Sequence, residues 1–116
     1  MPLLAVLSGI NTTTPTVLSI SLTPTSISAS GGSLPYSTAS VTALASGGSG
    51  SYSYSWTRLS GYLDIVADSP SSASTTFTVS IQAPGLQTAV YQCVATDTVN
   101  PAVTGSINIL VSMTKV

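Results

Sequence analysis

The sequence predicts an all-β domain, and two observations carry that prediction. Short segments alternate apolar and hydroxyl side chains with the period of two that is typical of a half-buried strand. The chain also contains 22 Ser and 17 Thr among 116 residues, whereas Glu is absent and Lys and Arg together number two. Because Thr and aliphatic residues favour strands while Ser and Gly favour turns, this composition disfavours helices.

The length of 116 residues corresponds to one domain. Residues 1–16 are predicted to be an N-terminal apolar arm, and residues 17–116 a two-sheet β-sandwich of about seven to eight strands. The apolar run of the arm is about half the length of a membrane span. It also carries no Lys or Arg. We therefore expect neither a membrane span nor a secretory signal there.

The first two strands follow from alternation in the first half of the domain. Leu18, Ile20 and Leu22 share one face of a half-buried strand, which Pro24 ends. Ser, Gly and Pro dominate residues 30–35, which predicts a loop. A second strand is expected over residues 39–46, with Val41, Ala43 and Ala45 pointing one way.

The middle strands have the clearest pattern. Tyr52, Tyr54 and Trp56 alternate with Ser after the Gly-rich turn at residues 47–50. A weaker strand is expected over residues 62–67, where Leu63 and Ile65 are the apolar positions. After a loop at residues 69–72, a further strand is predicted through Phe77, Val79 and Ile81.

The last two strands are predicted on either side of a hairpin loop at Asn100 and Pro101. The earlier strand follows a turn at residues 84–85, and its inward positions are Ala89, Tyr91, Cys93 and Ala95. The later strand has Ile107, Ile109, Val111 and Met113 on its inner face. Short strands with turn signals at this spacing are typical of a β-sandwich.

Trp56 and the run Tyr91-Gln92-Cys93 resemble the core signature of immunoglobulin-like domains. The resemblance covers roughly residues 17–113. It implies a Greek-key sandwich whose core contains Trp56, Tyr91 and Cys93. Where the family places its first cysteine, this chain has Ala43 and Ala45. The inter-sheet disulfide is therefore expected to be absent, and Cys93 to be a buried free thiol.

Within this superfamily, the composition of the chain, rich in Ser, Thr and Gly and poor in charge, resembles that of the immunoglobulin-like domains of tailed-bacteriophage virion proteins. Residues 95–98 and the strand over residues 105–111 are similar to bacterial and phage versions. The resemblance implies a structural virion protein, either a capsid decoration protein or a small tail protein, that is made in the host cytoplasm.

Composition also bears on the classes of function. Two cations are too few to neutralise many phosphates, so neither nucleic acid nor an anionic membrane surface is an expected partner. Without His, neither Cys93 nor the many Ser have a base, so no enzyme activity or cofactor is expected. Asp64 and Asp68 could contribute to a calcium site, but three Asp in the chain are few for that ion. Asp97 is predicted to cap a turn.

Two surfaces are candidates for binding a partner, either a viral capsid or tail protein or a second copy in a homo-oligomer. The first is the arm, since large apolar side chains left in water are an aggregation hazard. The second is an outward-facing patch on the last two strands. The candidate residues are Leu3, Leu4, Val6, Leu7 and Ile10 in the arm, and Val90, Val94 and Leu110 in the patch. The arm could instead be a disordered tail or an additional strand on the protein's own sheet.

An alternative function is recognition of host-surface glycans by a module of a phage tail fibre or bacterial adhesin. Its site would comprise loops near residues 47–51 and 97–103. Tyr52 would be exposed beside them.

Overall fold

The computed structural model describes residues 17–116, and this part of the chain is all-β. It contains ten strands in three sheets and no helix. The strands are β1 (Leu18–Thr23), β2 (Ser26–Gly31), β3 (Tyr36–Ser37), β4 (Val41–Gly47), β5 (Tyr52–Gly61), β6 (Ile65–Ala67), β7 (Ser74–Thr75), β8 (Phe77–Val79), β9 (Gly85–Asp97) and β10 (Thr104–Lys115).

The largest sheet has four strands in the order β2-β10-β9-β5. Strand β9 pairs antiparallel with both β10 and β5, whereas β2 joins the far edge of β10 in parallel. The register places Cys93 between Ile107 on β10 and Trp56 on β5. The signature residues of the sequence therefore lie side by side at the centre of this sheet.

The other two sheets have three strands each, in the orders β1-β4-β7 and β3-β8-β6. Only Thr76 separates β7 from β8, so these sheets are connected through one residue. Alternation along β1 and β4 buries Leu18, Leu22, Val41 and Ala43.

The main core draws on all three sheets and is centred on aromatic side chains. The ring of Phe77 lies 6.0 Å from that of Trp56 in an edge-to-face contact and 4.9 Å from that of Tyr91. Such pairs add about 0.5–1.5 kcal/mol each to the effect of burial alone. The polar atoms are also satisfied: the Trp56 indole donates to the Ser72 carbonyl, and the Tyr91 hydroxyl donates to the Ile65 carbonyl, each at 2.7 Å.

Cys93 is a free thiol with no exposed surface, as predicted. Burial raises the pKa of this thiol to about 11. A disulfide at this point would contribute about 2–4 kcal/mol, a margin that packing around Trp56 and Phe77 must supply instead.

Every predicted strand segment contains a strand, but the loop expected at residues 30–35 is wrong in part. Ser30 and Gly31 belong to β2, which the sequence did not reveal. The apolar signal of β2 is weak, because Ser surrounds Ile27 and Ala29. Pairing with β10 supplies the backbone hydrogen bonds that stabilise this segment.

Two positions predicted in strands lie outside them. Leu63 and Ile81 are 70% and 66% exposed; Leu63 lies two residues before β6 begins, and Ile81 lies two residues after β8 ends. The structure also adds the two-residue strands β3 and β7. None of the elements within residues 17–116 is a helix that could span a membrane.

Candidate functional site

The carboxylate of Asp97 joins two loops at one end of the domain. It accepts hydrogen bonds from the Ser49 amide and hydroxyl, both at 2.6 Å, in the loop between β4 and β5. It also accepts from the amides of Val99 at 2.9 Å and Asn100 at 3.2 Å, in the loop between β9 and β10. We call this region, comprising residue 17 and loops 47–51 and 98–103, the Asp97 end.

The environment of Asp97 favours its charged form. The side chain is 1% exposed. Hydrogen bonds, chiefly from the Ser49 hydroxyl and then from the Ser49 amide, lower the pKa of Asp97 to about 2, against the opposing effect of burial. The predicted turn cap is confirmed by the bonds to Val99 and Asn100. The bond to Ser49, 48 residues away in the chain, was not predicted.

Glycine is required beside this carboxylate. Gly48 has a φ of +58°, and a Cβ added there would lie 2.3 Å from Asp97 Oδ2. The Gly-rich turn that the sequence showed is therefore shaped around the buried carboxylate.

Tyr52 is half-buried and not an exposed platform for a sugar ring. Its ring packs against the small cluster formed by Leu18, Ala95 and Val103. Its hydroxyl donates to the carbonyl of Gly47. The structure thus brings together the two loops of the predicted glycan site. Tyr52, however, points into the domain, because the period of two along the strand places Tyr52 and Trp56 on the same face.

The predicted outward patch is only partly continuous. Val90 lies directly opposite Leu110 in the register of β9 and β10, and Leu110 is 48% exposed. Val94 is on the same face but four residues along β9, about 13 Å from Val90. Gln92 and Asn108 form the row between them.

Around Val94 and Gln92, the outer face of the four-stranded sheet carries uncharged polar side chains. Ser55 and Ser106 flank Val94 across the sheet, and Thr57 and Asn108 flank Gln92. This face can offer hydroxyl and amide groups to a partner, together with the Val90–Leu110 pair.

The opposite sheet carries a shallow groove of about 130 Å³ on β1 and β4. Its walls are Ser19, Ile20, Ser21, Leu44 and Ser46. Leu44 is 70% exposed and three residues from Gly47, so the groove adjoins the Asp97 end.

The remaining charged side chains lie away from Asp97. Arg58 is level with Tyr91, and Lys115 lies opposite Gly85 at the other end of β9. The Asp68 carboxylate accepts from the hydroxyls of Thr76 and Thr78 at 2.5 and 2.6 Å. Within residues 17–116, no three His, Cys, Asp or Glu side chains come together as a metal-binding group.

A second buried polar side chain, Gln82, was missed by the sequence analysis. Its amide nitrogen donates to the carbonyls of Gly85 and Met113 at 2.9 and 2.8 Å, and its oxygen accepts from the Tyr36 hydroxyl at 2.7 Å. Gln82 is 5% exposed. No local signal distinguishes it from Gln87 or Gln92. We call this region, around residues 81–85, the Gln82 end.

The predicted arm, with Leu3, Leu4, Val6, Leu7 and Ile10, lies outside the described residues. No protein-family model, curated protein or solved structure matches the chain.

Proposed function

We propose that this chain is a structural virion protein, specifically an immunoglobulin-like capsid decoration protein that attaches to its particle through apolar and strand-pairing contacts. The observation that carries the proposal is the surface of residues 17–116. That surface combines ten large hydrophobic side chains of 45% exposure or more with only four charged side chains outside the buried Asp97. A surface with so little charge is suited to burial in an assembly.

The strand order supports the immunoglobulin-like part of the proposal. Strands β1 and β2 are separated only by residues 24–25, yet β1 pairs with β4 in one sheet and β2 with β10 in another. The chain thus crosses between sheets at Pro24. Trp56 and Cys93 are neighbours in the strand register and both are buried, which agrees with the core that the resemblance implies.

The side chains of the described region favour binding over catalysis. The chain has no His, and the one thiol is buried with a pKa of about 11. The Asp97 carboxylate is occupied by four hydrogen bonds within the protein. These groups serve packing and loop structure, which is what an attachment module requires.

The arm supplies the apolar contacts in this proposal, and deletion tests it. Removing residues 1–14 should leave a folded sandwich that no longer co-sediments with phage particles assembled without this gene. A full-length variant with Leu3, Leu4, Val6, Leu7 and Ile10 replaced by Ser is the matched control. If loss of apolar contact is the cause, this variant should lose binding too. Normal binding by the truncated protein would refute the role of the arm.

Self-association is the second part of the proposal and rests on the Val90–Leu110 pair. Leu110→Ser should shift the full-length protein toward monomer in analytical ultracentrifugation. Leu63→Ser removes a more exposed leucine from a loop and is the control, which should leave association unchanged. Equal behaviour of the two variants would exclude the Val90–Leu110 pair as the contact.

Glycan recognition remains the alternative, favoured by one observation: Asp97 holds loops 47–51 and 98–103 side by side. Asn100 is exposed within that loop pair. On a glycan array, specific binding that Asn100→Ala abolishes would favour a tail-fibre or adhesin module. Silence across the array favours the structural role.

A further inference from the structure

We propose that the Asp97 end is the face that sits on the particle, and that the surface it meets is an uncharged, apolar protein surface. This inference rests on the proposed attachment function and goes beyond it, because it assigns one end of the domain and the chemistry of the partner.

The first observation is where the chain enters the domain. Leu18, the first residue of β1, pairs with Gly47 at the Asp97 end. The 16 residues before Val17 therefore start from this end, and fully extended they could reach at most about 55 Å. A partner bound by both the arm and the domain is reached most directly from here.

The second observation is the distribution of charge. Arg58 is level with Tyr91, six residues below Asp97 on β9, which is about 20 Å. The Asp68 amide donates to the Thr76 carbonyl. The adjacent Thr75 pairs with Val41, which lies six residues below Gly47 on β4.

The other two charges are farther away. Lys115 pairs with Gly85, twelve residues below Asp97 or about 40 Å. Asp64 is two residues from Tyr62, and the Tyr62 amide donates to the carbonyl of Thr88, nine residues below Asp97 on β9. Among the described residues, about 20 Å of the domain at the Asp97 end thus exposes no charged side chain.

The third observation is that this uncharged end exposes apolar side chains on an ordered framework. Val99 is 75% exposed and Val17 is 71% exposed. The amide of Val99 is bonded to Asp97 at 2.9 Å, and the amide of Thr98 to the Ser51 carbonyl at 3.0 Å. Because the loop is already fixed by these bonds, little conformational entropy remains to be lost when Val99 is buried.

The groove beside Leu44 continues the same surface. Leu44 is 70% exposed and lies three residues from Gly47 on β4. A neutral partner surface could bury Val17, Val99 and Leu44 together without desolvating a charge. A charged partner would find no complementary group at this end.

The test adds one carboxylate at either end of the full-length protein. Val99→Glu places it at the Asp97 end, and Ile81→Glu is the matched control, since Ile81 is a β-branched loop residue of 66% exposure at the Gln82 end. Co-sedimentation with phage particles assembled without this gene measures binding. We expect Val99→Glu to weaken binding by about tenfold or more, because a carboxylate would be buried without a partner, and Ile81→Glu to bind as wild type.

A second pair of variants distinguishes a loss of binding from a loss of folding. Leu44→Glu and Leu63→Glu change two leucines of equal 70% exposure, one near each end. We expect the first to weaken binding and the second to leave it unchanged, with thermal melts confirming that all four variants are folded.

The other outcomes separate the two proposals. If wild type does not bind the particle, the proposed attachment function is wrong. If wild type binds but the Gln82-end variants lose binding, or both ends behave alike, the end assignment is wrong while attachment stands. If about 0.5 M NaCl restores the binding of Val99→Glu, the partner surface is charged and the proposed chemistry is wrong. If Val99→Glu instead changes only self-association, the occupant is a second copy and the assignment to the particle is overturned.

Discussion

The two ends of this domain each bury one polar side chain that holds loops together, and the two side chains have opposite hydrogen-bonding character. At one end, Asp97 only accepts, and its four partners are three backbone amides and the Ser49 hydroxyl. At the other, Gln82 donates to two carbonyls and accepts from the Tyr36 hydroxyl.

The difference follows from what the loops offer. The turns at residues 48–50 and 98–100 leave amide groups free of sheet pairing, and a carboxylate satisfies several of them at once. At the Gln82 end, the carbonyls of Gly85 on β9 and Met113 on β10 need a donor, which an amide provides. Each end therefore has the side chain that its loop backbone requires, and the Asp97 end acquires a stability that is lost in acid.

Removing each side chain tests this contrast most strongly. Gln82→Ala should lower the free energy of unfolding by about 2–3 kcal/mol, because Gly85, Met113 and Tyr36 lose partners in a buried site. Asp97→Ala should lower it further, since four donors lose a charged acceptor. Urea unfolding at pH 7 measures both. A smaller loss for Asp97→Ala than for Gln82→Ala would mean that the loops find other acceptors.

Acid should weaken the Asp97 end selectively. The pKa of Asp97 is about 2 in the folded protein, below about 3.9 in an unfolded chain. Its stabilisation is therefore present above about pH 4 and is lost as pH falls toward 2. We expect the melting temperature of wild type to approach that of Asp97→Asn over this range.

Wild type and Asp97→Asn differ at this one carboxyl group, so the difference between their two melts isolates its contribution. Gln82→Ala should show the same acid dependence as wild type. A constant gap between wild type and Asp97→Asn from pH 5 to pH 2 would contradict the assignment.

Crowding the carboxylate with a methyl group should have an intermediate effect. Gly48→Ala places a Cβ against Asp97 Oδ2, so the loop must shift and weaken the bonds to Ser49. We expect a loss of about 1–3 kcal/mol in urea unfolding. Gly50→Ala is the control for backbone strain, since its φ is +92° and no atom lies within 4 Å of the added Cβ. We expect Gly48→Ala to cost more unfolding free energy than Gly50→Ala, and we expect this difference to become smaller when Asp97 is also replaced by Ala. If the difference stays the same without Asp97, the carboxylate is not its cause.

The smallest effect is expected at Cys93, which lies between the two ends. Cys93→Ala should cost about 1 kcal/mol, the contribution of one small buried group. The native thiol should react slowly with a disulfide reagent, because it is buried and burial raises its pKa to about 11. The same reaction can be measured in Asp97→Ala. Slow labelling of Cys93 would show that the substitution loosens only the loops. Rapid labelling would show that the core becomes accessible as well.

Much of the strand pattern could be predicted because it follows from the local alternation of apolar and polar residues. Alternation alone placed Leu18 and Leu22, and likewise Tyr91 and Cys93, on buried faces. Trp56 was correctly expected in the core for the same reason. Period two is a property of each extended segment by itself, so it can be read without knowing the neighbouring strands.

Other features had no local signal. Strand β2 is defined by its parallel pairing with the distant β10, and its Ser-rich sequence reads equally well as loop. Tyr52 was a candidate exposed residue, but Leu18 and Val103 cover its ring. Gln82 and Asp97 became buried anchors through partners 31 and 48 residues away.

The amino-acid sequence by itself determined an all-β chain with a buried Trp–Tyr–Cys centre and almost no charge, because composition and alternation act within each segment. The tertiary structure alone decided which polar groups are buried, which loops meet, and that the exposed charges lie away from the Asp97 end. These depend on strand order and register, which bring together residues that are far apart in the chain.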